Sequence, residues 1–511
     1  MEKNLRVLWL TRTGSQVAHV SKETRSLPVY GRRMVCLHEA VSKTDLRRFN
    51  STCRAVRRAG RCPYWPGMPR ALNPPLTVGE VKNIAKRLPA CPHDCLIASL
   101  TAVKSVVATH MQLNSIAWLL SKWRARRENT ILVLDEGQHI IKNALSMVKD
   151  SISIRTAEKA GKEARKYGFN ELSEEIENTV EHYRSMLQSD GEMEVEDILP
   201  DTDELALAGD EIQEAKLKEN YVPSSYVLSL ADFKISLNGR KPILVREGRS
   251  LRLEAPVDPI EYLKTVYDGW SSVVTMSATI SGELLESLIG VEAVLLRSGW
   301  PFGDNLRAYI VKGLTTKFER RDETLMDDMA WITRLAVKSR KKTLIFYPSH
   351  ELLQATRKKV DGGILVEEPG IDQEEVESIA ERFEEKNNVL LSVFNGRLSE
   401  GVDLSANLVI CLGVPFNPPT VKQTALIKRL GEVLRDEKKA RIYGQIIPAV
   451  WSAIQASGRA VRSPEDTALV FMVDDRYKAL YRLLPRWFQE RVVSSISLRD
   501  VPIIMEVDES V

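Results

Sequence analysis

Short apolar runs recur along this chain and alternate with segments of helical periodicity. The runs are rich in Val, Ile and Leu and are bounded by turn residues, a pattern typical of parallel strands covered on both faces. They are residues 5–10, 131–134, 273–276, 343–347, 389–392, 408–412 and 468–473. Helical patterns lie between them, for example at 170–188 and 372–385. The alternation predicts doubly wound α/β domains.

Two regions interrupt this alternation and are predicted to be insertions into the first α/β domain. Residues 31–100 are basic and rich in cysteine and proline, and we expect them to be loop-like. Residues 148–258 begin with a charged amphipathic helix and pass into an acidic stretch at 190–219. A domain boundary is expected near 300–307, where the segment WPFGDNLR breaks the periodicity.

The composition of the 511 residues, with 43% hydrophobic and 28% charged residues, is that of a soluble globular protein. This length accommodates several domains, each with its own core. The apolar runs fall short of the roughly 18 residues that a membrane-spanning helix needs, and the opening residues lack a secretory pattern. The expected location is therefore the cytoplasm.

The charged residues are distributed unevenly, although the net charge is only +3. Residues 1–130 contain 23 Lys and Arg against 7 Asp and Glu, whereas residues 151–220 contain 8 against 19. So basic a segment indicates a polyanionic partner, because Lys and Arg displace the counterions of a phosphate backbone. A solvated surface is the alternative. The interleaved aromatics favour nucleic acid; they are Tyr64, Trp65, Trp118 and Trp123.

Five of the six cysteines fall within one stretch of 60 residues. They are Cys36, Cys53, Cys62, Cys91 and Cys95. A large chain without an export signal is a poor candidate for disulfides, so these cysteines indicate a metal or cluster site. A zinc site would use the last four of them, which end in a C-x3-C pair.

Two acids follow the apolar run in ILVLDEGQHI, residues 131–140. A parallel strand that ends in Asp135 and Glu136 would place both carboxylates at the carboxyl edge of a sheet, where α/β proteins bind ligands. In nucleoside triphosphatases the first such acid holds Mg²⁺ and the second polarises the attacking water. A simple strand-end cap is the alternative interpretation.

The segment QASGRAVR, residues 455–462, matches the Q-x-x-G-R-x-x-R pattern of superfamily 2 helicases. The matching residues are Gln455, Gly458, Arg459 and Arg462. On a helix, the two arginines would project from one face, one turn apart. Guanidinium groups stabilise the charge that develops on a transferring phosphoryl group, so these residues are candidate catalytic residues.

Four further segments resemble helicase motifs. LWLTRT, residues 8–13, resembles motif Ia, in which Thr11, Arg12 and Thr13 would meet the DNA backbone. VVTMSATI, residues 273–280, resembles motif III, whose hydroxyls would be Ser277 and Thr279. Residues 342–353, KTLIFYPSHELL, resemble motif IV. Residues 392–416 resemble motif V, with candidate coupling residues Gly396, Glu400, Gly401 and Asp403.

The order of these motifs, with the cysteines between Thr13 and Asp135, resembles the XPD family of iron–sulfur DNA helicases, with the related DinG type as a possible alternative. The resemblance implies two RecA-like helicase motor domains with an Fe–S insertion and a helical Arch insertion. It also implies a 4Fe–4S cluster on Cys36, Cys53, Cys62 and Cys91, spaced C-x16-C-x8-C-x28-C, with Cys95 as an alternative fourth ligand.

The domain limits that follow from the resemblance divide the chain into six segments. Residues 1–30, 101–147 and 259–306 would belong to the first motor domain, 31–100 to the Fe–S domain, 148–258 to the Arch domain and 307–511 to the second motor domain. The implied activity is Mg²⁺- and ATP-dependent 5′→3′ translocation on single-stranded DNA, at forks or bubbles, by a monomer in DNA repair. An ATP-independent single-strand-binding protein and a zinc-stabilised scaffold are the alternatives.

Two features depart from the family pattern. Motif II is Asp-Glu-Gly-Gln rather than Asp-Glu-Ala-His, so Gln138 and the following His139 are expected to couple the domains in an altered way. No G-x-x-x-x-G-K-S/T pattern occurs, and the one Gly-Lys pair, at 161–162, precedes a glutamate. We expect that Met1 is an internal methionine of a longer protein, so that the first motor domain is incomplete here. Natural loss of the ATPase is the rival interpretation.

We predict that a protein of this sequence hydrolyses ATP at a negligible rate, even with DNA, because no phosphate-binding loop and lysine hold the β- and γ-phosphates. ATP turnover with and without single-stranded DNA measures this, and the Glu136→Gln variant defines the background. DNA-stimulated turnover that disappears in Glu136→Gln would contradict the prediction.

Overall fold

The computed structural model describes residues 5–65, 67–88, 90–280, 282–371, 373–385, 389–400, 404–417, 419–459, 461 and 463–507, without the side chains of 282, 373, 374, 399, 400 and 507. The chain divides into two compact units. The first comprises Met1–Ile280 with Thr420–Leu426, and the second comprises Ser281–Pro419 with Ile427–Val511. Each unit contains its own parallel sheet.

Each of the seven apolar runs of the sequence coincides with a strand, and the described residues contain nine further strands that were not predicted. The strands of the described residues are β1 (Arg6–Thr11), β2 (Leu27–Val29), β3 (Ser105–Thr109), β4 (Thr130–Leu134), β5 (Val148–Ser153), β6 (Gly191–Glu194), β7 (Ile243–Glu247), β8 (Ser250–Pro256), β9 (Ser272–Thr275), β10 (Leu306–Lys312), β11 (Thr343–Tyr347), β12 (Leu365–Val366), β13 (Val389–Val393), β14 (Leu408–Leu412), β15 (Ala468–Val473) and β16 (Val492–Ser497). The runs predicted at 343–347, 408–412 and 468–473 match β11, β14 and β15 residue for residue.

Helices occupy most of the chain between the strands. They are α1 (Gly14–Thr24), α2 (Arg32–Val35), α3 (Glu39–Ser42), α4 (Leu46–Arg58), α5 (Val78–Arg87), α6 (Pro92–Ser99), α7 (Ile116–Trp123), α8 (Gln138–Leu145), α9 (Ile154–Lys166), α10 (Asn170–Met186), α11 (Thr202–Lys218), α12 (Tyr226–Leu237), α13 (Pro259–Tyr267), α14 (Gly282–Ile289), α15 (Glu323–Ser339), α16 (His350–Arg357), α17 (Gln373–Glu385), α18 (Arg397–Glu400), α19 (Val421–Leu434), α20 (Glu437–Arg441), α21 (Ile447–Ser457), α22 (Arg476–Leu480), α23 (Arg486–Gln489) and α24 (Val501–Val507).

The sheet of the first unit has five parallel strands in the order β2-β3-β1-β4-β9. Strand β1 lies at its centre, and the side chains of Leu8 and Leu10 have no exposed surface. Strand β4 pairs with β1 on one side and β9 on the other. Because the strands run parallel, their carboxyl ends meet at one edge, and the residues that follow β1, β3, β4 and β9 are brought together there.

The first insertion is helical rather than loop-like, which corrects the expectation from its prolines. Helix α4 begins after Asp45, whose carboxylate accepts a hydrogen bond from the N–H of Arg48. Helix α5 begins at a capping box formed by Thr77 and Glu80. Pro92 occupies the first turn of α6, where its missing N–H costs no hydrogen bond.

The second insertion combines helices with a sheet, so the expectation of a helical domain was incomplete. Helices α9–α12 pack with a four-stranded antiparallel sheet in the order β5-β8-β7-β6. In β8 the side chains of Leu251, Leu253 and Ala255 are all buried. Burial of every second residue is typical of a strand. Strand β8 was not predicted from the sequence, because its apolar residues are few and lie in a charged segment.

The sheet of the second unit has seven parallel strands in the order β12-β13-β11-β14-β15-β10-β16. Strands β11, β14 and β15 are buried along their whole length. Helix α21 packs its apolar face on this sheet through Val450, Ala453 and Ile454. The α/β fold class is thereby confirmed for both units.

The division into units differs from the boundary expected near 300–307. The first unit ends at Ile280, and the chain from Ser281, including α14, groups with the second unit. Within the described residues, no helix is both long enough and apolar enough to span a membrane.

Candidate functional site

The backbone at Asp135 is held at the carboxyl edge of the first sheet by the neighbouring strand β1 and by the residue that follows β3. Its N–H donates to the carbonyl of Leu10, the penultimate residue of β1, at 2.9 Å. Its carbonyl oxygen lies 2.8 Å from Nε2 of His110, which follows β3. Asp135 is therefore fixed at the point where three strands end.

The next two residues turn away from the sheet and contact β9. Glu136 has a φ of 53°, which is uncommon for a residue with a side chain. The N–H of Gly137 donates to the carbonyl of Met276 at 2.9 Å. A methyl group at Gly137 would overlap Cγ2 of Thr275, so this close approach requires glycine.

The two acids influence each other electrostatically. Partial burial, and after it the charge of neighbouring Glu136, raise the pKa of Asp135 above its ordinary value. A divalent cation would remove the repulsion that acts on Asp135. Two carboxylates at one edge are the oxygen ligands that Mg²⁺ prefers.

Gln138 holds the side chain of Glu136. It is 1% exposed at the start of α8, and its Nε2 donates to the Glu136 carboxylate. Its Oε1 is buried without a hydrogen-bond partner among the described residues. The N–H of His139 donates to the Glu136 carbonyl at 3.0 Å. The unusual Gln of motif II thus orients the second acid within its own unit.

Ser277 and Thr279 lie in a tight turn that continues from β9. The Ser277 hydroxyl accepts from the N–H groups of Thr279 and Ile280 at 3.0 and 3.1 Å. Because Gly137 bonds to Met276, this turn lies beside the acid pair. Of the predicted coupling residues, Gln138, His139, Ser277 and Thr279 are therefore assembled at one edge of the first sheet.

The residues of the motif Ia segment differ in their exposure. The Thr11 side chain is fully buried, and its hydroxyl donates to the Thr13 carbonyl at 3.3 Å. Thr13 caps α1 in a capping box with Gln16. Arg12 and Thr13 are half-buried at the end of β1. A strand bound at this edge would meet Arg12 and Thr13, whereas the Thr11 side chain has an internal structural role.

Helix α21 of the second unit leads into the predicted arginine segment. Gln455 lies in its last turn, and the helix ends at Ser457, where the N–H of Gly458 donates to the Ile454 carbonyl at 2.8 Å. Arg459 follows in a turn, so the expectation that its segment continues as a helix is wrong. Gly458 disfavours continuation of the helix, because glycine loses more conformational freedom in a helix than any other residue. Arg462 lies outside the described residues.

The motif V segment begins at the turn that follows β13. Asn395 has a φ of 61°, and the N–H of Gly396 donates to the Val393 carbonyl at 3.0 Å. The side chain of Glu400, and the residues Gly401 and Asp403, lie outside the described residues. Of the four predicted motif V residues, Gly396 lies within the described part of the chain together with its neighbours.

The four predicted cluster ligands line one pocket of the first unit. Cys36, Cys53, Cys62 and Cys91 all contribute to its wall. Val41 and Val56 also line the pocket, and they pack with Phe49 in an apolar cluster that includes Cys53 and contacts Cys36 and Cys62. Cys95 is fully buried in α6 and is not part of the wall. Of the alternatives for the fourth ligand, the geometry assembles Cys91.

The donor set fits a thiolate-ligated cluster. Burial raises the pKa of Cys36, with smaller contributions from Cys53 and Cys62. Burial, followed by the charge of Asp94, raises the pKa of Cys91 to about 11. Four cysteine side chains on one wall are the ligand set that a 4Fe–4S cluster takes. Within the described ranges, no three His, Cys, Asp or Glu side chains meet at one point suitable for a single metal ion.

Charged side chains lie around this pocket. Asp94 lies 3.6 Å from Arg32 and 3.5 Å from Arg57. Burial opposes ionisation of Asp94, but His93 and the two arginines together lower its pKa. The Arg57 guanidinium lies 3.3 Å from the centroid of the Trp65 ring. Two arginines, Arg32 and Arg57, thus line the pocket together with the four cysteines.

Comparisons with known proteins agree with this geometry. The DEAD_2 family model matches residues 7–158, and the helicase C-terminal domain model matches residues 332–491. Each of the two segments therefore carries sequence similar to a helicase family, and most of the second insertion lies between the two matches.

Curated XPD relatives are distant in sequence but align over much of the chain. The ATP-dependent DNA helicase XPD of Sulfolobus acidocaldarius is 23% identical over 370 residues, covering 69% of this chain and 66% of its own length. The ATP-dependent DNA helicase CHL1 of Kluyveromyces lactis is 21% identical, covering 93% of this chain and 69% of its own. The chain thus spans about two thirds of each relative's length.

Solved XPD structures share the fold. One XPD helicase structure superposes with a TM-score of 0.75 at 19% identity, covering 96% of this chain and 91% of that one. The structure of Xpd4 from S. tokodaii superposes with a TM-score of 0.59 at 17% identity, and the match covers 96% of each chain. The two RecA-like motor folds of the XPD family are therefore present.

Sequence reasoning missed two residues of these XPD-type sites. His110 bonds to the backbone of Asp135, and burial lowers its pKa. Glu367 is buried against the motif V turn. Each residue follows the carboxyl end of a strand, and this position is the signal that could have identified it. Neither residue lies in one of the helicase motifs of the sequence.

We predict that Gly137→Ala destabilises the first sheet by about 1–3 kcal/mol, because the new methyl group overlaps Thr275. The double variant Gly137→Ala with Thr275→Ser should recover most of this loss, since serine lacks Cγ2 and keeps the hydroxyl that lies 3.4 Å from Tyr267. Amide hydrogen exchange in β4 and β9 measures the local free energy of opening. An equal loss in the single and the double variant would contradict the close contact.

Proposed function

We propose that this chain is part of an XPD-type DNA helicase that couples ATP hydrolysis to 5′→3′ movement on single-stranded DNA, and that the 511 residues alone, which contain no Walker A pattern, hydrolyse ATP negligibly. The observation that carries the proposal is the joint placement of Asp135, Glu136 and the Ser277–Thr279 turn at one sheet edge. Curated relatives named ATP-dependent DNA helicases support it. The acids would bind Mg²⁺ and orient the attacking water.

The second unit would supply the cationic part of the chemistry. In the proposal, Arg459 and Arg462 stabilise the charge of the transferring phosphoryl group, and Gln455 contacts the nucleotide. Gly396, Glu400, Gly401 and Asp403 would couple hydrolysis to movement of the DNA. Arg12 and Thr13 would meet its phosphates, since they are the accessible residues after β1.

The cysteine pocket would hold a 4Fe–4S cluster. Support comes from the four thiols that line one wall, from the apolar cluster that packs beside them, and from the position of the pocket between β2 and β3 in the chain order. The cluster would supply a rigid cross-link between α4, α6 and the intervening chain. Arg32 and Arg57, which also line the pocket, would offset the negative charge of the thiolates.

One observation favours a second candidate function. The 511 residues contain no G-x-x-x-x-G-K-S/T pattern. An ATP-independent single-stranded nucleic-acid-binding protein derived from a helicase needs no such loop. It would retain the basic insertion and its aromatics, whose binding to a strand is independent of nucleotide.

Binding of single-stranded DNA is expected to weaken steeply with salt, with the logarithm of the affinity falling by roughly 0.7 per phosphate contacted for each tenfold rise in salt. Replacing the exposed Arg58 and Arg61 by alanine should reduce this slope, because each contributes to the basic face of the insertion. Fluorescence anisotropy of labelled oligo(dT) measures the slope. The exposed Lys162, in the acidic second insertion, provides the matched alanine control. A response independent of salt would refute the nucleic-acid role.

Replacing Cys91 by serine should remove most of the bound iron and the brown colour of the purified protein, because one cluster ligand is lost. The matched variant Cys95→Ser should retain both, since Cys95 is not part of the pocket wall. Elemental analysis and visible absorbance measure the outcome. A colourless wild-type protein with stoichiometric zinc, or iron loss in Cys95→Ser alone, would contradict the assignment.

A further inference from the structure

A buried carboxylate lies directly beneath the motif V turn of the second unit. Glu367 follows β12 and is 2% exposed. Its Oε2 accepts the hydroxyl of Ser392 at 2.5 Å, and its Oε1 accepts the N–H of Arg397 at 2.7 Å. A buried carboxylate costs free energy unless such bonds satisfy both oxygens, so its position and that of the turn depend on each other.

The turn approaches this carboxylate as closely as a backbone can. A Cβ at Gly396 would lie 2.5 Å from Oε2 and 2.6 Å from Oε1 of Glu367, inside any permissible contact. Glycine at 396 is therefore required by the buried acid as well as by the helicase motif. The acid determines where Asn395, Gly396 and Arg397 sit relative to the sheet.

The same turn is bonded to the helix that precedes the arginine segment. The hydroxyl of Ser452, 5% exposed on α21, lies 2.7 Å from Oδ1 of Asn395 and 2.9 Å from the carbonyl of Pro448, and the shorter contact is the one to Asn395. Asn395 adopts the left-handed conformation that asparagine tolerates. Ser452 and Gln455 are three residues apart and so lie on neighbouring positions of one helical face.

Apolar packing makes this connection stiff. Phe394 and Leu398, on either side of the turn, are 5% and 0% exposed and share one core cluster with Ala453 and Ile454 of α21. A closely packed core transmits displacement rather than absorbing it. A shift of the turn therefore moves α21 with it.

We propose that Glu367, Asn395 and Ser452 form a positioning relay that transmits nucleic-acid binding at the turn to helix α21 and hence to Gln455 and Arg459. The relay rests on the proposed function, because it requires a nucleic-acid strand to contact the turn. Arg397, exposed beside Gly396, is the cation that a phosphate would meet. Glu367 holds the turn in place, and the Asn395–Ser452 hydrogen bond carries its displacement to α21.

The relay is tested by amide hydrogen exchange of the whole chain with and without oligo(dT). In the wild type, oligo(dT) should slow exchange both at the turn 393–398 and in α21. In Asn395→Gly, which keeps the left-handed conformation but removes the acceptor, protection should persist at the turn and fall about fivefold in α21, the effect of one lost hydrogen bond. Asn395→Asp keeps an acceptor and should behave as the wild type.

A merely structural role for Asn395 gives a different result. It would speed exchange in α21 without DNA and leave the oligo(dT)-dependent change intact, which would overturn the relay. Glu367→Ala should lose protection at both places, whereas Glu367→Gln, whose amide can serve Arg397 and Ser392 at once, should restore it. Equal behaviour of the two Glu367 variants would likewise contradict the relay.

The wild-type measurement separates this inference from the proposed function. Protection of the turn without any protection of α21 would overturn the relay alone. Absence of oligo(dT) protection from the whole described chain, together with absence of binding, would overturn the proposed nucleic-acid function and the relay with it.

Discussion

The parallel pairing of β4 between β1 and β9 is the constraint on which the candidate site depends. Parallel strands end at a common edge, so one hydrogen bond from Asp135 to Leu10 and another from Gly137 to Met276 bring three distant segments together. Neither acid has a ligand role if the register slips by one residue, because its side chain would then point to the other face. Gly137 allows the close approach that maintains the register.

In the second unit a turn is also held at the carboxyl end of a parallel strand, but by a buried side chain. Its motif V turn also follows a buried parallel strand, but there a buried acid from the neighbouring strand, Glu367, holds the turn from beneath. In the first unit the two acids at the edge are half-buried, whereas Glu367 is buried and both of its oxygens accept hydrogen bonds from the protein. A helicase motif is thus positioned by a residue outside any motif.

The cysteine pocket lies in the first insertion, whose apolar core is small. The apolar cluster around Val41, Phe49 and Val56 is limited in size, and few helices of the insertion are long. Small domains with such cores commonly depend on metal centres or cross-links. In the proposed function, the four thiols around the pocket would provide the ligands for such a centre, and Arg32 and Arg57 would offset their charge.

The sequence by itself determined seven of the parallel strands, the order of the motifs and the acids, because buried parallel strands appear as continuous apolar runs and their ends are marked by polar residues. It did not reveal the four antiparallel strands of the second insertion or the shorter parallel strands such as β2 and β12. It misjudged the first insertion, since its prolines suggested loops while the caps at Asp45 and Thr77 start helices. It could not choose between Cys91 and Cys95, which are one helical turn apart. Only the tertiary structure decided that Cys91 faces the pocket, that α21 stops before Arg459, and that Glu367 lies under Gly396. These contacts join residues far apart in the chain, and local periodicity carries no information about which distant side chains will share a buried space.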